Sequence, residues 1–258
     1  MTAPVAVQLY TLRDSIAEDP TPMFERLAAA GFVGVESAGF YSQTPSQYAN
    51  ALAQAGLALA SAHVGFDARP DDWLDHWARD LDAHREAGAD TVVVPVLFPN
   101  QFADLDAVAR GADLMNAALG PATDRGLRLG YHNHFWEFGD IDGRPALERF
   151  FELCDPAIFA EVDIYWATVG GVDAAGFVAS LGDRVRLLHV KDGPADSHES
   201  AMVAVGSGTV AVADVIGAAP SAEWHIVELD RCDGDMFDAV VASQRFLVGT
   251  GLSIGADR

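Results

Sequence analysis

The chain has 258 residues, 50% of them hydrophobic, and a formal net charge of −22 from 38 acidic and 16 basic side chains. This negative charge repels phosphate backbones and anionic lipid surfaces, so neither nucleic acid nor a membrane is expected as a partner. No apolar run reaches the roughly 20 residues that span a bilayer, and residues 1–10 show no secretory signal. The two isolated cysteines, Cys154 and Cys232, predict a reduced, cytoplasmic protein.

One unit repeats along the first half of the chain: a helical stretch ends in a glycine, and a short apolar strand follows at once. The predicted helices are 24–30, 48–55, 81–87 and 114–125, and the predicted strands are 33–35, 57–60, 91–94 and 127–129. Glycine after a helix, as at Gly31 and Gly56, tolerates the left-handed conformation that closes the last turn. Thr21-Pro22 and Thr44-Pro45 predict helix starts, and Gln47 completes a capping box with Thr44.

The second half continues the alternation. Strands are predicted at 159–163, 185–190 and 224–229, with 5–9 opening the chain, and helices at 145–154, 174–181 and 236–248. The connection 191–220 is long, rich in Gly and Ser, and predicted to be partly irregular. Eight such units in about 250 residues favour a closed α/β barrel over an open doubly wound sheet. With no linker or break in composition, residues 1–258 are predicted to form a single (β/α)₈ TIM-barrel domain.

Polar side chains follow most of the predicted strands at the end where barrel enzymes place their catalytic groups. They are Gln8, Glu36, His63, the run from Tyr131 to Phe138, Asp163, His189, Lys191 and Glu228. Each alone has an ordinary explanation: His189 can be a satisfied core histidine, and Asp163 can cap the next turn. Carboxylates and imidazoles at the ends of four consecutive strands together indicate a metal site. Mixed oxygen and imidazole ligands suit Mn²⁺, Mg²⁺ or Co²⁺, and also accept Zn²⁺.

These segments resemble one known family. The quoted runs are His132-Asn133-His134-Phe135-Trp136-Glu137-Phe138, Asp163-Ile164-Tyr165-Trp166, His189-Val190-Lys191-Asp192, Val227-Glu228-Leu229-Asp230 and the opening Val7-Gln8-Leu9-Tyr10-Thr11-Leu12-Arg13-Asp14. Together they are similar to the sugar phosphate isomerase/epimerase family of xylose-isomerase-like barrels. That family includes inosose dehydratases, dehydroshikimate dehydratases and lyases of 3-keto-glycosides. The resemblance covers essentially the whole chain; it implies the fold and a divalent metal, Mn²⁺ foremost, but no particular substrate.

The resemblance also implies the metal ligands: Asp163, His189, Glu228 and one residue from the fifth-strand motif. Many epimerases of the family carry glutamate where His132 stands, so either His132 replaces it or Glu137 reaches back to the ion. Glu137 is preferred, because a third carboxylate keeps the usual ligand set. The Gly206-Ser207-Gly208 turn resembles the family's glycine pair, but Ala211 stands where an acidic residue often follows. No role beyond shaping the mouth is expected for this loop.

The implied reaction is isomerisation or epimerisation of a keto-sugar or polyol derivative, by proton abstraction next to a carbonyl through a metal-stabilised enediolate. Candidate catalytic groups are His134, His132, Glu228 and Lys191, the last as a hydrogen-bond donor to a substrate oxygen. Candidate substrate-binding residues are His63, Glu36, Trp166, Trp136 and Gln8. The alternative is a lyase or dehydratase that follows the same first step with β-elimination, and the His132-Asn133-His134 motif favours it because two imidazoles can divide base and acid duties.

Other classes fit the sequence less well. A metal-dependent endonuclease needs a basic face for DNA, which a net charge of −22 does not favour. A non-catalytic sugar-binding or scaffold protein is the other alternative, and unchanged metal content in Asp163→Ala and His189→Ala variants would favour it. The expected partner is a small sugar or polyol, and the sequence leaves a homo-oligomer open.

Overall fold

Eight parallel strands form a closed barrel in this computed structural model, which describes residues 2–16, 19–67 and 71–256. The strands are Val5–Gln8, Gly34–Ser37, Ala58–His63, Thr91–Val94, Arg128–His132, Phe159–Asp163, Val185–Val190 and Trp224–Val227. Each strand pairs with its neighbour in the chain, and the first pairs with the eighth, with Ala6 opposite Ile226. The predicted (β/α)₈ TIM barrel is therefore confirmed.

Helices cover the outside of this ring. They span Thr21–Ala30, Pro45–Ala55, Trp73–Glu86, Leu105–Thr123, Ala146–Leu153, Ile164–Val169, Ala174–Leu181, Val212–Ala218 and Met236–Gly249. Every residue of the first, second, fourth and sixth strands is buried, as expected for parallel strands with one face inside the barrel and the other under helices. None of the helices in the described ranges is long and apolar enough to cross a membrane.

The inside of the barrel has an apolar layer below a polar one. Six buried strand residues form the apolar layer: Ala6, Ala60, Val93, Phe159, Leu187 and Ile226. Glu161, His189 and Glu228 stand two residues further along the chain than Phe159, Leu187 and Ile226, Glu228 just past the end of its strand. They face the same side, because side chains of a strand alternate between its two faces. The same alternation that fills the barrel with apolar side chains therefore points the polar ones into its C-terminal mouth.

The predicted helix ends hold, with one exception. Gly31 and Gly56 have left-handed φ angles of 96° and 72°, and Thr44 forms the capping box with Gln47. The prediction that Thr21 caps its helix is wrong. The helix begins at Thr21 itself after Pro20, and the Thr21 hydroxyl donates to Asp19 Oδ1 at 2.6 Å. Asp19 lies outside the predicted Thr21-Pro22 motif, and its Oδ1 accepts hydrogen bonds from both the backbone N–H and the hydroxyl of Thr21.

Several elements have no counterpart in the predicted pattern, among them the helix Val212–Ala218 in the connection predicted to be partly irregular. A hairpin pairs Asp140–Ile141 with Arg144–Pro145, and the helix Ile164–Val169 follows the sixth strand at once. Asp163 caps that helix by accepting a hydrogen bond from Trp166 N at 2.8 Å. One oxygen of Asp163 is thereby fixed, which orients the carboxylate at the mouth.

The strand register shifts at two places inside the barrel. Val35 pairs with Leu59 but Glu36 pairs with Ser61, so the third strand carries one extra residue there. Ala160 pairs with Val185 but Glu161 pairs with Leu187, so the seventh strand carries one extra residue as well. Such bulges re-aim side chains and are frequent beside active sites. Here each shift lies directly before a buried glutamate.

Candidate active site at the barrel mouth

The C-terminal ends of the strands surround a cavity of about 420 Å³, within the range of small-molecule sites. Its lining comes from seven of the eight strands or the loops that follow them: Tyr10, Ala38, His63, Pro95, Val96, His132, His134, Lys191, Glu228 and Asp230. Most of these side chains are polar or charged. The mouth can therefore hold a small polar molecule against imidazole, ammonium and carboxylate groups.

Four buried side chains at the base of this cavity form what we call the upper cluster: His132, Asp163, His189 and Glu228. One ligand atom from each lies within 4.8 Å of those from the other three. His189 Nδ1 is 2.7 Å from Glu228 Oε2, and His132 Nε2 is 3.9 Å from Asp163 Oδ2. Two imidazoles and two carboxylates are a donor set that suits a borderline divalent cation.

A lower cluster lies directly beneath, formed by Glu36, His63 and Glu161. His63 Nε2 is 2.7 Å from Glu161 Oε2 and 3.1 Å from Glu36 Oε1. His189 reaches down to the same carboxylates, with Nε2 2.7 Å from Glu36 Oε1 and 3.2 Å from Glu161 Oε2. His63, His132, Glu161 and His189 also bring one ligand atom each within 4.8 Å of the others. His189 thus joins the two clusters, with one ring nitrogen in each.

The charge states of these groups follow from burial and from each other. Burial opposes the imidazolium form of His189, but the negative charges of Glu161, Glu36 and Glu228 outweigh it and raise the pKa of His189 well above its ordinary value. His132 shows the opposite shift: burial, together with the positive charge of His189, lowers the pKa of His132 well below its ordinary value. His132 is therefore a neutral imidazole with a free lone pair.

The residues of the mouth fit a divalent cation. Among the described residues, buried His132 Nδ1 and Glu161 Oε1 have no hydrogen-bond partner, and a buried polar atom without a partner costs about 1–3 kcal/mol. A neutral imidazole and carboxylates are the protonation forms that coordinate metals. The upper cluster therefore has the donor chemistry to hold a divalent cation.

Lys191 is the only lysine in the sequence, and it is buried among carboxylates. Its Nζ lies 2.8 Å from Asp163 Oδ2, 2.7 Å from Glu228 Oε2 and 2.8 Å from Asp230 Oδ2. Burial opposes the ammonium form, yet these three charges raise the pKa of Lys191 well above its ordinary value. Burial raises the pKa of Asp163 to about 6, and Lys191 limits that rise. Lys191 thus supplies a fixed positive charge at the cavity wall.

His134 stands on the cavity wall above the upper cluster. Its ring stacks on Trp136, with ring centroids 4.4 Å apart and 9° between the planes. Burial, together with the positive charge of Lys191, lowers the pKa of His134 to about 3. At neutral pH His134 is uncharged, so it can accept a hydrogen bond or proton from a bound molecule.

The two candidates for the fourth ligand, His132 and Glu137, lie in different places. His132 lies in the upper cluster, whereas Glu137 lies outside it. Glu137 Oε1 accepts a hydrogen bond from the Tyr131 hydroxyl at 2.8 Å, and Oε2 accepts one from His134 N at 3.0 Å. Burial raises the pKa of Glu137 to about 8, so this carboxyl is largely protonated at neutral pH. The Glu137 carboxyl thus orders the loop that carries His134.

Several predicted substrate-binding residues occupy supporting positions. Gln8 and Glu36 have no exposed surface, and Gln8 Nε2 donates to Glu36 Oε1 at 2.6 Å. Trp166 is buried with the Lys191 ammonium 5.3 Å from its ring centre, and Trp136 donates its indole N–H to Leu97 O at 3.1 Å while backing His134. Of the five candidates, His63 reaches the cavity surface. Glu36, Trp136 and Trp166 instead contact the cavity residues His63, His134 and Lys191, and Gln8 contacts Glu36.

The loop after the seventh strand is ordered by one carboxylate. Asp192, which is buried, accepts hydrogen bonds from four backbone N–H groups, those of Gly193, Gly206, Gly208 and Val210, at 2.8–3.1 Å. A Cβ on Gly208 would clash with Asp192 and the Gly193 backbone. The glycines of the Gly206-Ser207-Gly208 turn therefore fit the backbone around Asp192.

Sequence reasoning missed Glu161, a fully buried member of the lower cluster. A signal was available: Glu161 stands two residues before Asp163 on one strand, so both side chains point to the same face. It also missed Tyr10 and Asp230, which line the cavity. Asp230 was visible two residues after Glu228 by the same argument.

A closed eight-stranded barrel whose mouth gathers imidazoles and carboxylates defines an α/β barrel protein with a candidate metal centre. The chain belongs to the xylose isomerase-like TIM barrel family, whose sequence pattern matches residues 24–240. A comparison with curated proteins finds no match.

Solved structures with the same fold carry several activities in their names. A sugar phosphate isomerase/epimerase from Parabacteroides distasonis is 24% identical, with a TM-score of 0.82 over 96% of this chain and 94% of that one. A probable 3-DHS dehydratase from Bacillus anthracis is 14% identical, with a TM-score of 0.74 over 95% and 98%. A D-allulose 3-epimerase from Methylomonas sp. is 16% identical, with a TM-score of 0.69 over 96% and 98%. At these identities the likeness shows the fold.

Proposed function

We propose that this protein is a divalent-metal-dependent isomerase or epimerase of a keto-sugar or polyol derivative. The observation that carries the proposal is the upper cluster at the base of the 420 Å³ cavity. Asp163, His189 and Glu228 hold the ion, and His132 is the fourth ligand in place of Glu137, whose two oxygens already accept hydrogen bonds. Mn²⁺ is the proposed ion, with Mg²⁺, Co²⁺ and Zn²⁺ as alternatives.

The bound ion supplies Lewis acidity toward a carbonyl or hydroxyl oxygen of the substrate. The chain does the rest. Lys191 donates a hydrogen bond to a substrate oxygen, held in position by Asp230 at 2.8 Å. Glu228 and His134 reach the cavity from the eighth and fifth strands, so either can take a proton from a carbon held between them and, once protonated, return that proton to the enediolate. His63 binds a hydroxyl at the third strand.

A lyase or dehydratase remains the second candidate because two imidazoles line the cavity together. The rings of His132 and His134 lie 5.2 Å apart, nearly perpendicular to each other. One ring can take the proton next to the carbonyl and, as the imidazolium, pass it directly or through the other ring to the leaving oxygen, which departs as water or an alcohol. The likeness to the probable dehydratase from Bacillus anthracis supports the same alternative.

Incubation of the purified protein with Mn²⁺ and a panel of keto-sugars in D₂O tests the proposal. Deuterium incorporation without loss of mass supports isomerisation or epimerisation. Loss of water or of an alcohol supports elimination and replaces the first candidate with the second. If no member of a broad panel exchanges a proton, the enzyme proposal fails and a sugar-binding role takes its place.

Metal content tests the site itself. Asp163→Ala and His189→Ala are expected to lose bound metal, measured by mass spectrometry after dialysis against Mn²⁺. Asp106→Ala and His76→Ala replace the same residue types on exposed helix surfaces and serve as matched controls. Equal metal content in all four variants would contradict the upper cluster as the ligand set.

A further inference from the structure

We infer that Glu36 is a positioning residue that decides which ring nitrogen of His189 coordinates the cation. The inference rests on the proposed function, since it requires a metal in the upper cluster. Glu36 comes from the second strand and His189 from the seventh, and Glu36 Oε1 lies 2.7 Å from His189 Nε2. Metal-binding histidines commonly place their second nitrogen against such a carboxylate.

Glu36 is held rigidly enough to do this. It has no exposed surface, its Oε1 accepts a hydrogen bond from Gln8 Nε2, and its Oε2 accepts one from Ser61 Oγ at 2.5 Å. The register shift between Val35 and Glu36 is what brings Ser61, and not its neighbour Ala60, beside the glutamate. Donors from the first and third strands thus fix both carboxylate oxygens.

A fixed acceptor at Nε2 keeps a proton on that nitrogen and leaves Nδ1 as the donor to a metal. Nδ1 points toward the upper cluster, 2.7 Å from Glu228 Oε2. His63 restrains the ring further, since it stacks on His189 with 13° between the planes and its Nε2 lies 3.1 Å from Glu36 Oε1. The cation is therefore placed in the upper cluster, while the side chains of the lower cluster contact one another beneath it, with His63 Nε2 2.7 Å from Glu161 Oε2.

Three variants test the contact between Glu36 and His189 by weakening it to different degrees. Glu36→Met removes the acceptor at similar size, Glu36→Gln keeps an acceptor oxygen without the charge, and Ser61→Ala removes one donor that holds Glu36. Titration with Mn²⁺ measures the dissociation constant of each. We expect Glu36→Met to bind about 10- to 100-fold more weakly than the wild type, Glu36→Gln to lie between them, and Ser61→Ala to change least.

Nuclear magnetic resonance of the Zn²⁺-loaded protein with ¹⁵N-labelled histidine identifies the coordinating nitrogen directly. The expected pattern for His189 is a zinc-bound Nδ1 and a protonated Nε2 whose proton resonance moves upfield in Glu36→Gln. Zinc bound through Nε2, or wild-type affinity in Glu36→Gln, would overturn the inference. If Glu36→Met fails to fold by circular dichroism, the Glu36→Gln result decides.

The two levels of the proposal fail differently. A wild-type protein that binds no divalent cation contradicts the metal site and the inference together. A wild-type protein that binds the cation, accompanied by Glu36 variants with unchanged affinity and unchanged His189 resonances, contradicts the inference alone.

Discussion

Replacement of Lys191 by methionine offers a direct measure of how the mouth balances its charge. The change removes the ammonium group that lies 2.7–2.8 Å from Asp163, Glu228 and Asp230. Methionine fills most of the side-chain volume, so the main loss is electrostatic. Removing one partner of a buried ion pair costs about 3–5 kcal/mol, because the remaining charge stays buried without compensation.

The exposure of each partner refines that magnitude. The side chains of Asp163 and Glu228 are 0% and 6% exposed, so they bear most of the penalty, whereas Asp230, at 24%, regains water. We therefore expect the metal-free variant to lose about 3 kcal/mol in its free energy of unfolding, at the lower end of the range for buried pairs. A cation in the upper cluster places positive charge beside the same two carboxylates, so saturation with Mn²⁺ is expected to recover at least half of the loss.

Urea denaturation in EDTA and in Mn²⁺ measures both values, with unfolding followed by tryptophan fluorescence. Arg186→Met is the matched control: Arg186 pairs with Glu223 at 3.5 Å on the surface, where both side chains are over 30% exposed. Such a pair contributes about 0–1 kcal/mol. A loss below about 1 kcal/mol for metal-free Lys191→Met, or an equal loss with and without Mn²⁺, would refute the reasoning.

Three further predictions follow from individual groups. The pKa of Glu137 rises from 4.5 to about 8 on folding, so the native state holds the proton more tightly, and this group stabilises the fold below pH 4.5 and loses that effect as pH rises toward 8. Glu137→Gln should therefore show a smaller decline in the free energy of unfolding between pH 5 and pH 8, measured by urea denaturation. The variant should bind as much Mn²⁺ as the wild type. Asp192→Ala leaves four backbone N–H groups without their acceptor, so its free energy of unfolding should fall by at least about 2 kcal/mol. Limited proteolysis should cut the variant faster within residues 193–210. An unchanged digestion pattern would contradict the role of Asp192 in ordering this loop. The pKa of His189 is raised well above its ordinary value in the metal-free protein, so cation binding must release a proton and should weaken about tenfold per unit of falling pH below that pKa. Calorimetry in buffers of different ionisation enthalpy counts the released proton. A binding enthalpy that does not depend on the buffer would contradict the proton release.

The fold was predictable because each barrel unit carries its own local signals. Glycines such as Gly31 and Gly56 end helices at the predicted places, and the apolar strands that follow need no distant information. The error at Thr21 came from a competing local acceptor, since Asp19 takes the hydroxyl that the motif assigned to the helix. The hairpin at Asp140–Ile141 escaped prediction because its strands have two residues each and no period to detect.

The candidate site was predictable where residues end a strand and obscure where a loop intervenes. Asp163, His189 and Glu228 follow from strand alternation, and the structure brings them together. Glu137 stands five residues beyond His132, and the intervening turn leads into the short helix Trp136–Phe138. This helix places the Glu137 carboxyl beside the Tyr131 hydroxyl. No spacing in the sequence specifies that turn, so the sequence alone could not place the Glu137 carboxyl relative to His132.

The two extra residues in the third and seventh strands have a consequence for protein engineering. Without the extra residue in the seventh strand, Asp163 would not face His189, because a register slip of one residue turns every side chain of a strand to the opposite face. Copying the polar side chains onto an idealised barrel with unbroken hydrogen-bond ladders would therefore scatter them between the lumen and the helical shell. A transplanted version of this mouth has to carry Ala60 and Arg186 along, although neither residue contributes an atom to the upper cluster.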